Sequence, residues 1–186
     1  MELSSLIGTL VSSDTVKNIA GTVKSDSSSV KKVLSAALPS LLNGAKAQSE
    51  DAASGFAEAL RSHGEADTAN IAGFLKNVDL KDGKKIIDHL LGSTSSEQIA
   101  EIARAAGVSK KSTGNILSAA APLLMSLLGK QSSGSGSLIS SLFSGLDIGS
   151  LLTGLLTDNN EKEEEKEEEK PASGGFLSGL FGKLFK

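Results

Sequence analysis

Two histidines, His63 and His89, are the residues of this chain best suited to acid–base or metal chemistry. Either role needs converging partners: a carboxylate and a nucleophile for a triad, or further ligands for a metal. Asp88 precedes His89, but successive helical residues point apart. The remaining carboxylates are scattered over polar helix faces, with no pair at a spacing that argues general acid–base work. There is no cysteine, which excludes disulfides and thiolate metal sites. The Gly/Ser text from Ser132 to Ser137 lacks the lysine and flanking strand of a phosphate loop, and reads as a linker. The expectation is a helix-packing His89, an exposed His63, no catalytic residue, no cofactor and no metal, hence no enzyme.

A second candidate chemistry is base reading. QIAEIARAAGVSKKSTGNIL, residues 98–117, has the outline of a helix-turn-helix. Ala103 is the small residue of the first helix, Gly107 marks the turn, and Ile102, Val108 and Ile116 fall at packing positions. In that motif the second helix enters the major groove with its N-terminal residues on base edges. Lys110, Lys111, Ser112 and Asn115 would be those readers. Three observations weigh against it. Thr113 occupies a position the motif fills with an apolar side chain. A related stretch earlier in the chain has Lys24 in place of the turn glycine. The first 157 residues are electrically neutral, whereas phosphate contacts supply most nucleic-acid affinity. DNA binding is therefore the alternative reading, and nucleic acid the less favoured partner.

The elements that must position these residues are helices. The chain has 186 residues, 39% apolar but only 3% aromatic, so its core is built from Leu, Ala, Ile and Val. No run of alternating β-branched residues suggests a strand. The start, MELSSLIGTL, lacks the basic region and apolar run of a signal peptide. No segment offers about 18 uninterrupted apolar residues. The expected compartment is the cytoplasm.

An internal repeat organises the first part. The stretch from Ser12 and the stretch from Ser95 align without a gap at a shift of 83. Identical pairs include Ser12/Ser95, Ile19/Ile102, Ala20/Ala103, Leu34/Leu117, Pro39/Pro122 and Leu41/Leu124. Each unit, about 12–44 and 95–129, reads as two helices. In the second, Ser95–Ser96 is the expected N-cap, Gly107 the stop and Ser109 the next cap. Pro122 and Pro39 predict a kink or break at the same place in both copies. Between the units, Phe56, Ala59 and Leu60, then Ile71, Phe74 and Leu75, mark two helices. Asp82–Gly83 reads as a turn leading into a short helix with Ile86, Ile87, Leu90 and Leu91.

Three stretches, DGKKIIDHLLG (82–92), EQIAEIARAAGVS (97–109) and ILSAAAPLLMSLLG (116–129), carry a family resemblance. Residues 1 to about 130 resemble the YidB-like bacterial helical family, the domain of unknown function nine-three-seven. His89 falls in its His-Leu-Leu-Gly element, and Ala121, Pro122 and Leu123 in its Ala-Pro-Leu step. The resemblance implies a multi-helical domain and implies no reaction.

The text changes after the linker at 131–137. LISSLFSGL (138–146), LLTGLL (151–156) and FLSGLFGKL (176–184) are variants of one amphipathic motif, the first two within an apolar segment at 138–157. Between them lies a spacer at 158–175 whose acidic run, 158–170, has a net charge of −5. The last segment, 176–186, carries two lysines and a stripe of Phe176, Leu177, Leu180, Phe181, Leu184 and Phe185. Such a stripe suits a membrane surface, a groove on this or another copy, or the chain's own core. The whole reads as an all-α chain: a helical domain at 1–130 with a duplicated two-helix unit, a flexible linker, amphipathic tail helices and a charged spacer. Its expected role is an interaction or assembly protein that self-associates, binds another protein or makes peripheral contact at the inner membrane face.

Overall fold

A computed structural model describes residues 3–50 and 55–132. The amphipathic segments at 138–157 and 176–186 lie outside the described residues. Eight α-helices occur among those described: α1 (Leu3–Val11), α2 (Ser13–Val23), α3 (Ser27–Glu50), α4 (Phe56–Gly64), α5 (Ile71–Lys76), α6 (Leu80–Leu91), α7 (Ser95–Ala106) and α8 (Lys110–Ser132). No strand occurs among them. The chain is all-α.

Short polar residues start the helices by accepting bonds from first-turn amides that lack an intrahelical partner. Ser12 Oγ accepts from the Thr15 amide at 3.3 Å, Asp26 Oδ1 from Ser29 at 2.7 Å, and Ser109 Oγ from Ser112 at 3.1 Å. Asn70 does the same for α5 and Asp79 for α6. Asp26 is held below the usual carboxylate range, chiefly by the Ser29 hydroxyl and then by the Ser29 amide. The first turn of α7 differs from expectation. Thr94 precedes it without a side-chain cap, and a 3₁₀ turn, Gly92–Thr94, leads directly into the helix. Ser95 lies inside α7 and donates instead to Asp88 Oδ1 at 2.7 Å.

The two repeat units share their backbone in detail. Shifted by 83, α3 begins where α8 does and α2 ends where α7 does. Both first helices stop with a left-handed residue, Lys24 at φ 53° and Gly107 at φ 66°. Both stops close with the same long bond, Ser25 N to Ala20 O and Val108 N to Ala103 O, each 3.0 Å. Lys24 therefore takes the turn conformation without the glycine that makes it cheap.

α8 is the centre of the fold and touches every other described helix. From Ile116 to Ser126 every residue is buried. α3, its counterpart, is buried along one face only, through Val30, Val33, Leu34, Ala37, Leu38, Leu41, Leu42 and Ala45. By length and hydropathy α8 could cross a membrane, but 78% of that window is buried inside the fold. It is the core helix of the domain.

Neither proline breaks its helix: α3 runs through Pro39 and α8 through Pro122. A proline inside a helix leaves the carbonyl four residues earlier without its amide. For Pro122 that carbonyl belongs to Ser118, and α6 covers it. Gly83 sits so close that a Cβ on it would overlap the Ser118 carbonyl oxygen. This corrects the turn expected at Asp82–Gly83. Both residues lie within α6, and Gly83 serves close helix packing rather than chain reversal. A second close crossing brings Gly129 of α8 onto Gly64 of α4, where a Cβ on Gly129 would lie 2.8 Å from Gly64 Cα.

Candidate ligand cleft beside α8

The α4–α5–α6 segment, inserted between the repeat units, builds a cleft of about 420 Å³ against α8. The end of α4 supplies His63, and the following loop supplies Asp67 and Asn70. α5 contributes Gly73 and Phe74, and the connection to α6 contributes Asn77, Val78 and Asp79. Asp82 enters from the first turn of α6, and Pro122 of α8 completes the lining.

The polar residues are placed by their structural duties. Asn70 and Asp79 are here because they cap α5 and α6. Asp67 Oδ1 accepts from the Ala69 amide at 2.9 Å, which shapes the loop. Asn77 Nδ2 donates to the Gly73 carbonyl at 2.9 Å and ties the end of α5. His63 Nε2 lies 3.8 Å from Asp82 Oδ2, too long for a hydrogen bond but close enough for charge attraction when the imidazole is protonated. The lining holds three carboxylates and no lysine or arginine. Its chemistry suits a cationic group on an apolar stem, with Phe74, Val78 and Pro122 for the stem. It holds no serine, threonine or cysteine to serve as a nucleophile beside His63. Among the described residues no set of three His, Cys, Asp or Glu side chains is arranged to hold a metal.

The histidines are the reverse of expectation. His89 is exposed on α6, and its carbonyl accepts from Gln48 at 3.3 Å. His63 is the partly buried one, at 24% side-chain exposure. The reason is α6's packing: Gly83, Ile87, Leu90 and Leu91 face inward, which turns position 89 outward. The cleft itself was not expected from sequence. Its signal is a crowd of five Asp and Asn residues between Asp67 and Asp82, which read individually as caps and turns.

The base-reading candidates lie elsewhere. Lys110 and Lys111 are exposed at the start of α8, and Asn115 one turn further on. Lys110 Nζ donates to Ser96 Oγ at 2.7 Å, tying α8 to the start of α7. Ser112 is engaged with its cap, Ser109. Thr113 is fully buried and its hydroxyl has no partner. From Ile116 to Ser126 the helix is enclosed, so of the motif only the first two turns of α8 are accessible. Phe176, Leu177, Leu180, Phe181, Leu184 and Phe185 lie outside the described residues.

A small all-helical domain with a duplicated helix pair, one copy of which supplies the core helix, is the class these features define. Residues 5–131 match the family described as bacterial protein of unknown function, DUF937. The chain belongs to this family, and the YidB-like naming is consistent with it. No curated protein and no solved structure matches the chain.

Proposed function

We propose that this is a non-catalytic interaction or assembly protein whose C-terminal amphipathic segment docks the helical domain on a partner surface, another copy of the chain or a membrane face. One observation carries the reading. Among the described residues whose burial is defined, no Leu, Ile, Val, Phe or Met is exposed. The body satisfies its own apolar side chains, yet the sequence adds the stripe from Phe176 to Phe185 behind a spacer of net −5. Burying one Leu or Phe is worth about 1.5–3 kcal/mol, so four to six together can order a short helix on a surface. The expected setting is the cytoplasm, with peripheral contact at the inner membrane face. Ending the chain at Asn160 tests it: size-exclusion behaviour or liposome flotation should change. Unchanged results in both overturn the proposal.

A second reading is a DNA-binding regulator through residues 97–117. It is favoured by the α7–Gly107–α8 arrangement and by the exposure of Lys111 and Asn115 at the start of α8. It expects salt-dependent binding to duplex DNA that Lys110→Glu with Lys111→Glu abolishes.

A further inference from the structure

We propose that the cleft beside α8 is the intramolecular dock of residues 176–186, with Lys183 seated among Asp67, Asp79 and Asp82. The inference rests on the reading of that segment as a docking element and adds where it docks.

Charge selects the segment. After Ser132 the chain has acids at Asp147 and through 158–170, and its only cations outside that acidic run are Lys183 and Lys186. A cleft with three aspartates attracts this stretch and repels the net −5 run before it. The spacer is thereby held off the cleft while the segment behind it is drawn in.

Shape agrees. Some 420 Å³ admits a lysine stem with one neighbouring Leu or Phe beside Phe74, Val78 and Pro122. It does not admit the whole stripe. The remaining apolar residues stay available, so docking in the cleft competes with an outside partner instead of abolishing contact with it.

Tethering supplies the concentration. α8 leaves the fold at the rim of the cleft, because Gly129 packs on Gly64, next to His63. Lys130 Nζ donates to Thr68 Oγ1 at 2.6 Å, on the loop between Asp67 and Asn70. From Ser132 to Phe176 there are 43 intervening residues. A random coil of that many residues would have a typical end-to-end distance of about 35 Å. A tether of that reach would hold the segment at the cleft in the range of about 1 mM, enough to populate a weak contact.

The absence of cysteine makes a clean test. Ser178→Cys in the full chain gives one attachment point for a nitroxide. The expected result is loss of amide peak height at Asp67, Asn77 and Asp82, with Arg104 near the end of α7 spared, because α7 packs on α3, α6 and α8 and away from the cleft. The loss should persist on dilution. It should vanish in a mixture where spin-labelled and isotope-labelled chains are different molecules. Lys183→Glu should restore the heights, as should Asp67→Asn with Asp82→Asn. Raising salt to 1 M should also restore them, since the screening length falls to about 3 Å. Heights unchanged at the cleft, loss on another face, or loss only in the mixed sample overturns the proposal. If the Asn160 truncation still alters sizing or flotation in that case, the docking reading survives and only the cleft is wrong. If it does not, both fall.

Discussion

α3 and α8 hold the same place in two copies of one unit, with matching cap, proline and core leucines, but their surroundings differ. From Ile116 to Ser126 α8 is enclosed on every side, whereas the matching stretch of α3 keeps Asn43 in solvent and Ser35, Ala36, Pro39 and Ser40 half-buried. The difference follows from what was inserted between the copies. α4 and α6 lie across the α8 face carrying Ser118, Pro122 and Gly129. The matching α3 face, with Ser35, Pro39 and Ser40, is only partly covered. Position by position the sequence records this. Leu123 of α8 is fully buried where α3 has Ser40, and Ser126 is buried where α3 has the exposed Asn43. A duplicated unit has thus been specialised by burial, with one copy as the hub and the other as a wall.

Exchanging residues between the copies should break this asymmetry most visibly. Leu123→Ser gives α8 the residue α3 carries. It removes a fully buried side chain and buries a hydroxyl, an expected loss of about 3–5 kcal/mol in urea unfolding. The reciprocal Ser40→Leu should stay within about 1 kcal/mol of the parent, because that position is partly open. Equal losses for the two would mean that α3 is covered as α8 is. Gly83→Ala belongs with the larger effect. Its methyl would overlap backbone at Ser118, and the expected cost is about 3 kcal/mol. Gly114→Ala, where nothing lies within 4 Å, should instead add about 0.5–1 kcal/mol.

Thr113 and Val30 occupy equivalent positions and are both fully buried. Val30 is complete as it stands, whereas the Thr113 hydroxyl has no partner. Thr113→Val removes an unsatisfied polar atom without changing shape and should stabilise by about 1 kcal/mol. Val30→Thr should cost about 1–2 kcal/mol by creating the same defect in the other copy. Both can be read from the denaturant midpoint at constant slope.

What could be read in the sequence follows the same divide. The repeat, its caps at Ser12 and Ser109, the stop at Gly107 and the all-helical class come from local chemistry, and periodicity or capping rules express them directly. The burial of α8 on every side from Ile116 to Ser126 does not. Its alanines, serine and glycine look weakly amphipathic, and only tertiary packing shows that small residues there let α4 and α6 approach closely. Gly83 reads as a turn residue because a glycine after aspartate usually is one. Its role depends on Ser118, 35 positions away. His63 and Asp82 meet for the same reason: the geometry of α4 and α6 joins them, and no spacing rule does. Thr113 was visible as an odd residue at an apolar position, but the missing partner for its hydroxyl is a property of the folded interior.

The helix stops offer a finer comparison. Lys24 and Gly107 take the same left-handed conformation, which costs a residue with a Cβ about 1–2 kcal/mol. Lys24→Gly should therefore stabilise by about 0.5–1 kcal/mol, part of the strain relief being offset by the freer unfolded chain. Gly107→Ala should destabilise by about 1 kcal/mol. The two changes test one backbone feature from opposite sides, and equal responses in sign would show that the stops are not equivalent.

Ser12 and Ser95, identical in the repeat, separate by pH. Ser12 serves its own helix by accepting from Thr15, with no carboxylate involved. Ser95 donates to Asp88, whose other oxygen accepts from Lys84 Nζ at 2.6 Å. These bonds, Lys84 first and Ser95 second, hold Asp88 below its ordinary value of 3.8. A carboxyl lowered on folding stabilises the fold above its unfolded pKa, and that contribution disappears as pH falls through the lower folded value. Asp88 is 43% exposed, so solvent screens the pair, and Asp88→Asn should cost under about 1 kcal/mol at pH 7. The parent should lose this advantage over Asp88→Asn as pH drops below about 3.8. Ser95→Ala should show part of the same pH-dependent loss, while the cost of Ser12→Ala stays constant over that window. Parallel pH profiles for the two serine variants would remove the Ser95–Asp88 bond from the account of why the copies differ.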